Sequence, residues 1–134
     1  MNRTDLQNLA LIRLEEAKTL LDNKHYSGAY YLCGYAVECA LKACIAKRTQ
    51  QYDFPDKETV QKSWVHDPEK LLIVADLDKN MKVAGAETRS QWAIVVKWNE
   101  STRYTTKSQQ EAQEIYDATA DDTTGVLAWI KQYW

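Results

Sequence analysis

Glycine and proline are scarce in this chain, 4 and 2 among 134 residues. Collagen-like repeats, linker-rich chains and many-turned β architectures all need far more of both, so the composition argues for helices. An excess of positive charge is also missing: 17 Lys and Arg stand against 19 Asp and Glu, a formal net charge of −2. Without a global field to draw it onto phosphate backbones, the chain is not expected to be a generic nucleic-acid coat protein. The start, Met1-Asn2-Arg3-Thr4-Asp5, leads into a stretch with charges every few residues. That is neither the apolar core of a signal peptide nor a membrane span, and the cytoplasm is the expected location. Cysteines number three, Cys33, Cys39 and Cys44, all in one helical stretch whose geometry disfavours pairing. There is no Cys-x-x-Cys and no adjacent histidine, so they read as small core hydrophobes, and neither a metal site nor a cofactor is expected.

What is present is helical periodicity. With 45% hydrophobic and 27% charged residues in 134, the chain is expected to form a single domain, 1–134, around one core. From Thr4 to Asn23, Leu6, Leu9, Ala10, Ala17, Leu20 and Leu21 recur at helical spacing, with Thr4 or Asp5 as the expected N-cap. Asp22, Asn23 and Lys24 close this helix, Asn23 being suited to the left-handed turn. From Tyr26 to Arg48 the pattern is strongest, through Ala29, Tyr30, Cys33, Val37, Ala40, Leu41, Cys44 and Ile45. A second face carries Tyr31, Gly34, Tyr35, Glu38 and Lys42, as expected of a helix packed on two sides. Gly28 and Gly34 each cost about 1 kcal/mol of propensity against Ala, which a closely crossing helix would explain.

The pattern breaks from Gln50 to Val65, where Phe54-Pro55-Asp56 signals a turn and the loop has room for one helical turn. Asp67, Pro68 and Glu69 then read as N-cap, first helical position and first-turn acid of a short helix to about Asp76. Another helix is expected from about Glu87 to Trp98, after a break at Gly85. The last runs from near Lys107 to the C-terminus, with a weak Thr123-Thr124-Gly125 interior. The expected fold class is all-α, an up-and-down antiparallel bundle of four to five helices. On the last helix Glu111, Glu114, Asp117, Asp121 and Asp122 face only Lys107, a surface that should repel nucleic acid.

Three blocks carry a resemblance: Arg13-Leu14-Glu15-Glu16-Ala17; Tyr26-Ser27-Gly28-Ala29-Tyr30-Tyr31-Leu32; and Gly34-Tyr35-Ala36-Val37-Glu38-Cys39-Ala40-Leu41-Lys42-Ala43. They resemble the first two helices of the HEPN family, the higher eukaryote and prokaryote nucleotide-binding domain. His66-Asp67, Trp98 and Arg103-Tyr104 follow in the same order, although Thr105 stands where relatives of this subgroup are expected to carry proline. The resemblance implies a helical bundle that commonly homodimerises. Many members sit beside a minimal nucleotidyltransferase in two-component toxin–antitoxin modules, and others are metal-independent endoribonucleases. The ribonucleases use an Arg followed after four to six residues by a His, the Arg holding the scissile phosphate and the His moving a proton. The five arginines here, Arg3, Arg13, Arg48, Arg89 and Arg103, have no histidine in that window. The expectation is therefore a nucleotide- or RNA-binding or interaction module that partners a minimal nucleotidyltransferase, leaning away from an enzyme. The competing expectation is a divergent metal-independent endoribonuclease using His66 and Arg103 at a dimer cleft.

Residue by residue, Glu38 and Lys42 have the i, i+4 spacing of a helical ion pair. The functional alternative places Glu38 at a cleft on a partner's cation or a sugar hydroxyl, with Tyr31 and Tyr35 stacking on a base. The candidate ligand-binding residues are thus Tyr31, Tyr35, Glu38, Lys42 and Arg103, and the candidate catalytic ones His66, Arg103 and Tyr104. A catalytic His66 would need Arg103 or Lys42 beside it in space; otherwise it caps or packs. RNA affinity, where present, is expected to be local and salt-sensitive, around Lys42, Lys47, Arg48 and Arg103. The five tryptophans, Trp64, Trp92, Trp98, Trp129 and Trp134, are many for this length, and burial of an exposed cluster in a homodimer is the expected reason.

Overall fold

A computed structural model describes residues 1–49 and 56–134. The first helix, α1 (Arg3–Asp22), is capped earlier than the sequence implies: Asn2, not Thr4 or Asp5, is its N-cap. The Asn2 side chain accepts from the Asp5 N–H and the Asp5 carboxylate accepts from the Asn2 N–H, a reciprocal capping box at 2.9 Å each way. Asp5 is thus the box's third helical residue. At the other end Lys24, rather than Asn23, takes the left-handed conformation (φ 65°). The N–H groups of Lys24 and His25 donate to the carbonyls of Leu21 and Leu20, closing the helix in a Schellman turn. That tight turn folds α2 (Tyr26–Thr49) back on α1, and the two form the most extensive helix pair of the molecule.

Helix α2 is the axis of the bundle, packed against α1 and against the later segments Pro68–Val74, Glu100–Tyr104, Gln109–Ala120 and Val126–Ile130. Ala29, Cys33, Val37, Ala40, Leu41 and Cys44 are buried along one side, and Gly34, Ala36, Glu38, Cys39 and Ala43 on others, so little of its middle meets water. Small residues allow this close surround, because a helix whose neighbours lie on several sides has room for few large side chains. Gly28 does meet a crossing helix, with Leu20 Cδ1 of α1 at 3.1 Å from the position a Cβ would take. Gly34 meets a single side chain, the Trp98 ring.

Residues 50–55 lie outside the described ones, and with them most of the expected Phe54-Pro55-Asp56 turn. Beyond them the chain makes α3 (Lys57–Ser63), capped by Asp56, where a loop with one helical turn is expected from sequence. Helix α4 (Pro68–Val74) has the expected start, the Asp67 side chain accepting from the Glu69 and Lys70 N–H groups and Pro68 at the first turn. It ends in a second Schellman turn with Asp76 at φ 60°. Five-residue α5 (Asp78–Lys82) has no periodicity long enough to read, and α6 (Ala86–Val95) follows Gly85 as expected but stops short of Trp98.

A 3-10 helix, η1 (Glu100–Tyr104), is capped by Asn99 and leads to α7 (Gln109–Ala120), whose capping box is Ser108 with Glu111. The expected last helix is interrupted. Asp121 accepts from the Thr123 and Thr124 N–H groups, the chain turns, and α8 (Val126–Ile130) starts after Gly125. A Cβ at Gly125 would collide with the Asp121 carbonyl oxygen, so the weak tripeptide is a corner. The architecture is the all-α bundle expected, with short helices inserted between the long ones. Among the described residues no helix is long and apolar enough to cross a membrane.

Candidate functional site

Glu38 is the only acidic side chain buried in the core among the described residues, 3% exposed. One of its oxygens, Oε1, accepts from Lys42 Nζ at 2.9 Å, the ion pair the i, i+4 spacing predicts. The same oxygen lies 2.9 Å from Nδ1 of His66, which arrives from the loop between α3 and α4. His66 Nε2 in turn lies 3.1 Å from Glu100 Oε2, the first residue of η1. A carboxylate therefore stands at each ring nitrogen. The Nδ1 contact has hydrogen-bond geometry, whereas Nε2 and Glu100 are within ion-pair distance only. The other Glu38 oxygen, Oε2, is buried without a hydrogen-bond partner among the described residues. A buried carboxylate half satisfied in this way is expensive to keep, which marks the cluster as more than a solvated surface pair.

Beside this cluster the second face of α2 is aromatic. The Tyr31 and Tyr35 rings are stacked with centroids 6.2 Å apart, and Tyr31 also meets Trp98 at 5.9 Å. Trp98 is buried, its indole N–H donating to the Tyr31 carbonyl at 3.1 Å and its ring lying on Gly34. It thereby fixes the backbone that carries Tyr31. Arg103 lies over the Tyr104 ring, 4.8 Å from its centroid, and Tyr104 itself is 78% exposed. The Tyr104 phenol foremost, with Tyr31 after it, raises the Arg103 pKa. Arg13 of α1 stands 5.9 Å over Tyr35 while pairing with Glu16. Burial pushes the Tyr35 phenol up, keeping it neutral.

The candidate residues thus fall into two adjoining sets. Glu38, Lys42 and His66 converge on one oxygen, so the proximity of His66 to Lys42 that a functional histidine requires is present. His66 and Arg103 are joined through η1, on which Glu100 holds the histidine and Arg103 lies three residues on. Two members of the expected basic patch are engaged: Lys42 by Glu38, and Arg48 by the Val74 carbonyl at 3.0 Å and Asp76 at 3.8 Å. Arg103 makes no ion pair among the described residues. The acidic face of α7 is exposed as expected, Lys107 reaching Glu111 at 3.4 Å.

The expected exposed tryptophan cluster is largely core. Trp92, Trp98 and Trp129 are buried, and Trp64, 79% exposed, stands apart from them. It rims a groove of about 560 Å3 whose walls include Ile45, Ala46 and Val60, with Lys42 and His66 also lining it. The three cysteines are free and buried. Burial pushes Cys33 up to about 12 and Cys39 and Cys44 up to about 11, so none is a ready nucleophile. Among the described residues no group of three or more His, Cys, Asp and Glu is placed to hold a metal ion.

Two participants escape sequence reasoning. Glu100 carries no signal by itself, because only the fold brings it to a histidine 34 positions away. Trp98 is visible as a residue in family order, but its role under Tyr31 depends on Gly34, whose missing side chain is the one sequence trace of it.

The HEPN domain family profile matches residues 5–133, nearly the whole chain. The chain belongs to the HEPN domain family, which makes it a nucleotide- or RNA-related module of helical-bundle type. No curated protein and no solved structure matches it.

Proposed function

We propose that this HEPN domain binds RNA or a nucleotide on the face formed by Tyr31, Tyr35, Arg103 and Tyr104, beside the Glu38–Lys42–His66 cluster. The observation that carries this reading is Arg103, exposed and without an ion pair among the described residues, lying on an exposed tyrosine next to a tyrosine stack. Aromatic rings offer stacking to any base, and an adjacent guanidinium offers a phosphate contact, so the two together suit single-stranded RNA. Removing one stacking ring from such a surface costs about 1–3 kcal/mol per base. Tyr104→Ala and Arg103→Ala should each weaken binding of a fluorescein-labelled single-stranded RNA about tenfold in anisotropy titrations, while Glu114→Ala on the acidic face of α7 leaves it unchanged. Equal affinity in all four proteins would sink the reading.

Family membership supports a partner as well. In this reading the domain is a homodimer and the binding half of a two-component, toxin–antitoxin-type pair with a minimal nucleotidyltransferase. Recovery of such an enzyme in stoichiometric amount, on purification of the tagged protein from its native host, supports the pairing; a bare homodimer counts against it. One observation favours an enzyme instead: Glu38 on Nδ1 is the orienting carboxylate that a general-base histidine needs. Against it, Glu100 holds Nε2. Metal-independent RNA cleavage lost in His66→Ala would establish the ribonuclease reading.

A further inference from the structure

We propose that Glu100 stands in for the phosphate of a ligand: the Nε2 side of His66 is a phosphate-ester subsite, closed here by the protein's own carboxylate. This deepens the nucleotide-binding reading by giving it a phosphate position distinct from Arg103.

Three observations support it. First, the histidine is held by the protein's interior rather than by its surface. Glu38 is buried and fixed by Lys42, so Nδ1 is anchored and the ring is aimed whether or not Glu100 is present. Second, Glu100 is half exposed, at the start of a five-residue 3-10 helix, and its contact with Nε2 has the distance a phosphate oxygen would take. A carboxylate and a phosphate ester accept the same N–H, and an exposed ion pair is worth only about 0–1 kcal/mol, so an arriving dianion can displace it. Third, charge favours the exchange. Glu38 already neutralises Lys42, so Glu100 is the uncompensated carboxylate at the cluster, and swinging it away removes a negative charge from beside the Arg103-bearing helix. The neighbouring groove supplies room for the rest of the ligand, since His66 and Lys42 line it together with Ile45, Ala46, Val60 and the exposed Trp64 indole. Apolar walls with a few polar groups describe a site for a small aromatic phosphate ester, a nucleoside monophosphate in size and chemistry.

The experiment is isothermal titration of adenosine 5′-monophosphate and of adenosine into wild type, Glu100→Ala, and Glu100→Ala with His66→Asn. Circular dichroism confirms that each is folded. Removing the internal competitor should tighten the monophosphate about tenfold in Glu100→Ala, leave adenosine unchanged, and lose the gain when His66 is also replaced. Trp64→Ala in the Glu100→Ala background should weaken the monophosphate and leave inorganic phosphate as it was. The proposal is overturned by an unchanged monophosphate affinity in Glu100→Ala, by an equal gain for adenosine, by a gain that survives loss of His66, or by no binding to any variant. Its failure is separable from failure of the RNA-binding face. RNA affinity that still depends on Tyr104 and Arg103 leaves that face standing, whereas loss of RNA binding with a retained monophosphate response in Glu100→Ala removes the face and keeps the subsite.

Discussion

Trp98 lies against the bare Cα of Gly34, and no larger residue fits there without moving the ring. Alanine would add about 1 kcal/mol of helix propensity, but overpacking a full core costs about 1–3 kcal/mol, and the indole hydrogen bond to Tyr31 is disturbed as well. Gly34→Ala should therefore lower stability and the melting temperature by several degrees in a thermal melt, and weaken RNA binding through Tyr31. Gly28→Ala is the counterpart: its neighbour is the flexible end of Leu20, which can yield, so the variant should be neutral or slightly stabilised. The same melts would reject this account if the two glycines responded alike. The cysteines give a pH prediction of definite sign. Their folded pKa values, raised by burial to about 11–12 from an ordinary 9.0, mean the folded state keeps protons that the unfolded state releases. Their contribution to stability is complete below about pH 9 and is lost as pH rises toward 11–12, and a thiol reagent at pH 8 should label none of the three quickly until the protein unfolds. At this scale sequence spacing reveals Glu38 with Lys42, because a helix brings fourth neighbours together. It is silent on His66 and Glu100, whose meeting depends on three elements at once.

Among the elements, the start of α4 was legible, whereas the α1 cap, the α8 start and the helix ends were less so. Asp67-Pro68 reads directly as a cap followed by a first turn, and the structure has it there. Replacing Asp67 by Ala should cost about 1 kcal/mol in urea denaturation, the usual loss for an N-cap. The left-handed positions fall on Lys24 and Asp76 because turn closure by the preceding carbonyls outweighs the residue preference that would put Asn23 there. The α7–α8 corner is written in Asp121 and Gly125 but looks like a weak helix interior, since an apolar period runs through both halves. Hydrogen bonds from the Thr124 backbone foremost hold the Asp121 carboxyl below its ordinary pKa. Gly125→Ala should break that corner, and its mark would be a loss of cooperativity in the melt as α8, with buried Val126, Leu127 and Ile130, comes loose. A sharp, unshifted transition would contradict it.

For the molecule as a whole, scarcity of turn residues and helical periods gave the bundle, and the arrangement of small residues on α2 explains why it is the axis. The proposed binding face was only half legible. Tyr31 and Tyr35 share a helix face by arithmetic, but Arg103 and Tyr104 reach it through a 3-10 helix with no periodic signal. Beside this face Arg13 and Lys42 are already paired with Glu16 and Glu38, and α7 presents acids, so RNA binding should involve few phosphates and show a modest salt dependence. A slope of six or more in a plot of log affinity against log salt would point to a wider basic surface than the one described. Glu100 opens the 3-10 helix η1. It shares five residues of chain with Arg103 and Tyr104, so a ligand that takes Nε2 from it also releases one contact of the segment that presents them. If both proposed sites are occupied as argued, they are thermodynamically linked: whatever factor a monophosphate at His66 imposes on RNA affinity, RNA must impose on the monophosphate, and the domain would report one ligand by its hold on the other.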